Sequence, residues 1–246
     1  HTSSRAVRHS KSTSAYIRNA QRELNGHSAP VVCARWLSAD AAVSCSWDHT
    51  LIHWNVDSGT QIHQAHAQLR ENEKLTSMCL DPTSLSTAVC SATDGVLRQW
   101  DMRTGSSSTA ASVVHSFTAH EDVISSVSFV GPNQLVSGSD DRTVKVWDLR
   151  AYNTPLCTIR CPARVNRIGI SPLSNMIAIP MDDKPIRVHD LKGNRLVRFH
   201  NKDKAHPILT SACCWSADES VLYSSGYSPH RSVVLRRQTR QKMTPP

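Results

Sequence analysis

The chain has 246 residues, 39% of them hydrophobic and 20% charged, enough for one domain with a core of its own. Its net charge of +8 favours acidic partners such as nucleic acid, anionic lipid or acidic peptide, and the lack of any apolar run near 18 residues argues against a helical membrane span. Eight Cys without a secretory leader or an Asn-x-Ser/Thr sequon read as free thiols of a reducing, intracellular compartment.

Residues 1–26 hold a strand-like Tyr16-Ile17-Arg18 and an opening His1-Thr2-Ser3-Ser4, but no complete module, so they read as a truncated unit and linker. From His27 on, one spacing recurs. The copies SCSWDHTLIHWN, SATDGVLRQWD and SGSDDRTVKVWD close at Trp54-Asn55, Trp100-Asp101 and Trp147-Asp148, 46 and 47 residues apart. Two degraded copies close at His189-Asp190 and Leu235-Arg236, after 42 and 46 residues more. The modules so defined run approximately 27–65, 66–118, 119–160, 161–202 and 203–240, with 241–246 as a tail.

Within a module the pattern is that of short strands. Val123 to Phe129, Gln134 to Ser137 and Thr143 to Trp147 alternate apolar with polar residues, and Asp94-Gly95 and Asp140-Asp141-Arg142 supply turn residues between them. In each clear copy an Asp lies six residues before the Trp: Asp48, Asp94 and Asp141. A His lies upstream (His27, His66, His120, and His206 in the last copy), while Cys161 takes that place in the fourth module, nine residues before Ile170. Nine residues after His27, His120 and His206 come Trp36, Phe129 and Trp215, an offset that predicts one shared inward-facing slot.

A period of 40 to 50 residues with a Trp-Asp close is the signature of propeller blades. Strands this short cannot bury a core within one blade, so neighbouring blades must stack. On these residues the chain resembles the WD-repeat β-propeller family, most clearly at Ser137–Leu149 and over Thr158–Asp190. The resemblance implies an all-β fold of four-stranded antiparallel blades. Five are recognisable, with a partial one at the N-terminus. Seven blades would need about 300 residues, so the chain, which begins without Met, reads as a fragment of a longer propeller.

The resemblance also implies a buried hydrogen-bond network of His, Ser, Asp and Trp in each regular blade: His27, Ser44, Asp48 and Trp54 in one, and His120, Ser137, Asp141 and Trp147 in another. In the blade between them Cys90 stands in the Ser place beside His66, Asp94 and Trp100, and the last two blades keep few members, which predicts softer modules. His120, Ser137 and Asp141 have the residue types of a hydrolase triad. A catalytic site has no reason to recur once per module, whereas a strand tie does. No nucleophile elbow, phosphate-cradling Gly loop or carboxylate pair accompanies it, so no enzyme is expected.

Nor is a metal or other cofactor expected. His49 and His53 on one strand stand about 13 Å apart, adjacent Cys213 and Cys214 point to opposite faces, and Cys157-x3-Cys161 is not a zinc-type pair. Cys33, Cys45, Cys79, Cys90, Cys213 and Cys214 read as small buried apolar residues of strands.

Surface recognition remains. The residues just before each turn Asp, namely Trp47, Thr93, Asp140 and Asp182, face a partner in propellers of this family, with Trp47 a hot-spot candidate. Asp140, Asp182 and Asp183 make that face acidic, with Arg142 and Lys184 beside them, which suits a basic or mixed-charge peptide. The expected function is a non-catalytic scaffold for protein–protein interaction. The resemblance implies a cargo-sorting adaptor of the acidic-cluster-sorting type as partner and placement in cytoplasm and nucleus. The alternative is a basic nucleic-acid-associated subunit, using Arg5, Arg8, Lys11, Arg18 and Arg22 at one end and Arg231, Arg236, Arg237, Arg240 and Lys242 at the other.

Overall fold

A computed structural model describes residues 22–84, 86–102, 113–152, 154–198, 209–227 and 233–236. Among them there is no helix. The strands form five antiparallel sheets, each a meander of chain neighbours. The first holds β1 (Val31–Trp36), β2 (Ala41–Ser46), β3 (Thr50–Asn55) and β4 (Thr60–His66); the second β5 (Leu75–Leu80), β6 (Thr87–Ala92), β7 (Val96–Asp101) and β8 (Val113–Thr118). The third has β9 (Ile124–Gly131), β10 (Gln134–Ser139), β11 (Thr143–Asp148) and β12 (Cys157–Arg160), and the fourth β13 (Gly169–Ile170), β14 (Ile177–Met181), β15 (Lys184–His189) and β16 (Arg195–Arg198). Among the described residues the last sheet has β17 (Leu209–Trp215), β18 (Val221–Tyr227) and β19 (Val233–Arg236).

Register shows that the modules are equivalent residue by residue. Trp54, Trp100, Trp147, His189 and Leu235 pair with Ala42, Ala88, Leu135, Ile177 and Leu222, which is one slot on the third strand of every sheet. Strand alternation then sends the two faces of each sheet to different neighbours. Val144 and Val146 of β11 pack with Ile177 and Ile179 of the fourth sheet, while Trp147 joins Leu97 and Val89 of the second. Comparable apolar seams join the first sheet to the second through Val43, Leu51, Met78 and Trp100, and the fourth to the last through Val188, Cys213 and Leu222. No single sheet has a core of its own; the core is the set of seams between them.

Polar ties reinforce the last seam. Glu219, in a left-handed turn conformation, accepts the amides of Leu173 and Ser174, both at 2.7 Å, and the Ser174 hydroxyl. The Arg167 amide bonds the Ser211 carbonyl at 3.2 Å.

The shared slot on the inner strands is real, but its burial is not uniform. Trp36, Phe129 and Trp215 occupy matching register positions, opposite Ala42, Leu135 and Leu222. Phe129 is 9% exposed and Trp36 64%. Phe129 packs against the second sheet, whereas no sheet among the described residues covers Trp36, which is therefore exposed in the same slot. Cys214 is likewise exposed rather than buried, because its neighbour Cys213 takes the face turned to the fourth sheet. The proposed truncated module falls mostly on residues 1–21, and the tail on 241–246, outside the described residues.

Candidate functional site

The two complete His–Ser–Asp–Trp sets are closed hydrogen-bond chains. In the third sheet His120 Nδ1 donates to Asp141 Oδ2 at 2.8 Å, and its Nε2, left as the acceptor, takes the Ser137 hydroxyl proton at 2.7 Å. Ser137 Oγ in turn accepts the Trp147 indole N–H at 2.9 Å. Thr143 anchors the carboxylate, its hydroxyl 2.6 Å and its amide 2.9 Å from Asp141 Oδ1. The first sheet repeats this: His27 to Asp48 at 2.9 Å, Ser44 to His27 at 2.7 Å, Trp54 to Ser44 at 2.7 Å and Thr50 to Asp48 at 2.6 Å.

These geometries exclude the hydrolase reading. Ser137 is fully buried, with its proton committed to His120 and a lone pair to Trp147, so no substrate carbonyl reaches it. Burial holds the His120 pKa below its usual 6.5 even with Asp141 beside it. Burial works to raise Asp48, but the Thr50 hydroxyl, the Ser28 amide and His27 outweigh it and hold the carboxyl at about 2. Each chain ties the loop before the inner strand to the second and third strands.

The second sheet corrects the expected network. His66 ends β4 opposite Thr50, exposed, and is not a member. The backbone shows why. The Ala67 amide bonds the His49 carbonyl as the Ala119 amide bonds the Gly95 carbonyl, so Gln68, not His66, stands where His120 stands. Arg98 takes over the histidine's task, forking onto Asp94 (Nη1 to Oδ1 3.2 Å) and onto the Gln68 carbonyl at 3.2 Å. Among the described residues buried Trp100 Nε1 has no partner, since Cys90 fills the Ser place. Cys161 is displaced by one position in the same way: its amide bonds the Arg142 carbonyl, so it matches Ala119. In the fourth sheet Ile179 replaces the Ser, and His189 keeps one bond, Nδ1 to the Gly193 carbonyl at 3.0 Å. His206 lies outside the described residues.

The turn residues form one face. The amides of Trp47, Thr93, Asp140 and Asp182 bond the carbonyls of Pro30, Lys74, Val123 and Arg164, at 3.1, 3.0, 2.9 and 3.2 Å. Each acceptor lies just ahead of its own sheet's inner strand, so the four apices stand at the same end of four sheets. Two reach the next sheet. Lys74 Nζ sits 4.2 Å over the Trp47 ring, and Arg164 lies 3.7 Å from Asp140. Trp47 keeps 41% of its surface exposed. Burial raises the Asp140 pKa, Arg164 opposes it, and Asp122, Asp182 and Asp141 push it further up, which marks a concentration of acids. Arg142 and Asp183 both adopt left-handed backbone conformations and are exposed on the same turns. Beside them a polar cleft of about 540 Å³ is lined by Arg142, Glu121, Lys145 and Arg160.

Other expected sites are placed elsewhere. His49 bonds the Glu73 carbonyl at 2.7 Å, while His53 lies opposite His63 with ring centroids 6.0 Å apart. Of the terminal basic residues only Arg22 and Arg236 are described, so the expected basic clusters lie outside the described residues.

Stacked four-stranded meanders with Trp-closed third strands and His–Ser–Asp–Trp ties are propeller blades, and the chain belongs to the WD-repeat family. The family described as WD domain, G-beta repeat matches it at residues 18–55 and 111–148. The chain is similar to WD repeat-containing protein 37 of Xenopus laevis, 36% identical over 211 residues, covering 83% of this chain and 40% of the relative. The human protein of that name is 34% identical over 218 residues, covering 86% and 42%. A more distant relative is the ribosome biogenesis protein WDR12 homolog of Drosophila mojavensis, 27% identical over 218 residues, covering 82% and 51%. The chain thus spans about 40% of the length of the first relatives and about half of the last.

Proposed function

We propose that the chain is a non-catalytic scaffold that binds a protein partner on the face bearing Trp47, Thr93, Asp140, Arg142, Asp182 and Asp183. The observation that carries this reading is the repeated apex bond, which presents four turns of four sheets on one surface. A half-exposed Trp at one end and an acidic group at the other give that surface an apolar anchor and a charge preference. A peptide with an apolar residue and basic side chains fits it. The family resemblance supports a cargo-sorting adaptor of the acidic-cluster-sorting type as the partner, acting in cytoplasm and nucleus.

The test is binding of the purified adaptor to the chain by calorimetry, with Trp47→Ala and Asp140→Lys variants, at 50 and 500 mM salt. The reading expects Trp47→Ala to weaken binding at least tenfold, with only a modest effect of salt. The alternative, a nucleic-acid-associated subunit, has the net charge of +8 behind it. It expects affinity for an oligonucleotide that collapses between those salt concentrations and is indifferent to Trp47.

A further inference from the structure

The five inner strands meet around a second cleft, of about 770 Å³, on which all five sheets contribute residues. Its volume lies within the range of sites for small organic ligands. Its lining contains two cations and no carboxylate: Arg35 comes from β1, and Arg167 from the segment leading into β13. Among the described residues neither guanidinium has an acidic partner. The one hydrogen bond of the Arg35 guanidinium is to the Ala34 carbonyl, at 3.0 Å. By contrast, Arg98 is paired with Asp94 and Arg150 with Asp148.

The two charges act on a common region although they come from the first and fourth sheets. The thiol of buried Cys33, two residues before Arg35 on β1, is pulled below its usual range, first by Cys45 and against its burial, with Arg35 and Arg167 both lowering it further. Ser77 of β5 and Ser126 and Ser128 of β9 also line the cleft, and Trp215 supplies an aromatic side.

We propose that this central cleft binds a compact ligand with an oxyanion head, phosphate or carboxylate, held by Arg35 and Arg167, and an apolar body lying against Trp215. An arginine fork suits planar or tetrahedral oxyanions through paired N–H donors, and two such forks facing a site without acids attract an anion at long range. The walls are innermost strands of five sheets, which favours a small molecule over an extended peptide.

The experiment is calorimetric titration of the full chain with phenyl phosphate, benzoate, inorganic phosphate and uncharged benzyl alcohol. Phenyl phosphate or benzoate is expected to bind at least tenfold more tightly than benzyl alcohol, and whichever is tighter assigns the head group. Arg35→Gln with Arg167→Gln should weaken that binding at least tenfold, each single variant by threefold or more, and Arg70→Gln, 91% exposed at a distant loop, not at all. Circular dichroism and melting temperature report folding, and the single variants decide if the double variant does not fold. Affinity unchanged in correctly folded single variants, equal binding of phenyl phosphate and benzyl alcohol, or binding of a Glu-rich peptide but of neither small anion would overturn the proposal.

Discussion

Replacing Ser137 with Ala separates a structural tie from a reactive hydroxyl. The substitution removes one oxygen and orphans two groups in a fully buried site, the Trp147 indole N–H and His120 Nε2. Each buried unsatisfied group costs about 1–3 kcal/mol, so a loss of about 3 kcal/mol is expected, with the lost packing of the oxygen a smaller addition. Ser44→Ala, whose partners are His27 and Trp54 next to a more open loop, should cost about 2 kcal/mol by the same reasoning. Equilibrium urea denaturation read by tryptophan fluorescence and far-ultraviolet circular dichroism gives the value, and coincidence of the two probes checks that one transition is being measured. A nucleophile poised for catalysis predicts the opposite, stability unchanged or raised. A Ser137→Ala loss under about 0.5 kcal/mol, with an unchanged denaturant slope, refutes the tie.

Phe129→Ala should cost about 3–5 kcal/mol, whereas Trp36→Ala in the matching slot should be near neutral because Trp36 is 64% exposed; thermal denaturation of both variants distinguishes them. Gly95→Ala should destabilise by 2 kcal/mol or more: Gly95 has φ 74°, and a Cβ there would meet the His120 carbonyl oxygen at 2.4 Å. Arg98→Leu should cost about 3–5 kcal/mol in urea denaturation, since it strands the Asp94 carboxylate beside the second sheet. Melting temperature should fall with pH in two windows. His120 resists protonation when folded, so its share is complete above the unfolded value near 6.5 and is lost as pH drops below it. Asp48, held at about 2, gives stability that is complete above its ordinary 3.8 and disappears as pH falls towards 2. A flat melting profile between pH 7 and 5 would contradict a buried neutral His120.

The module spacing was legible because the Trp, His and Leu that close each copy occupy one register slot, and a slot on a buried strand constrains residue type. The ties around Ser44 and Ser137 were legible for the same reason: their four members recur at fixed offsets. His66 misled because an Ala-His pair near a module boundary imitates the true position, while the frame is set by the Ala67 amide to His49 carbonyl bond, which becomes visible only once the strands are paired. The available signal was Arg98, a basic residue four positions after Asp94 on a strand whose counterpart in the first sheet is Ile52. Trp36 misled because a slot fixes direction but not cover; exposure depends on a neighbouring sheet, and none of the described sheets covers Trp36. The central cleft was invisible in the sequence, since Arg35 and Arg167 are brought together only by the arrangement of sheets.

Hydrogen exchange of the indole N–H groups, followed by nuclear magnetic resonance, tests the account most directly. The protein has six Trp. The Trp54 and Trp147 protons, donated to Ser44 and Ser137, should exchange only through global unfolding, while those of Trp36 and Trp47 exchange at nearly the free rate. Exchange of the Trp147 proton as fast as that of Trp36 would contradict the closed tie, and with it the scaffold reading.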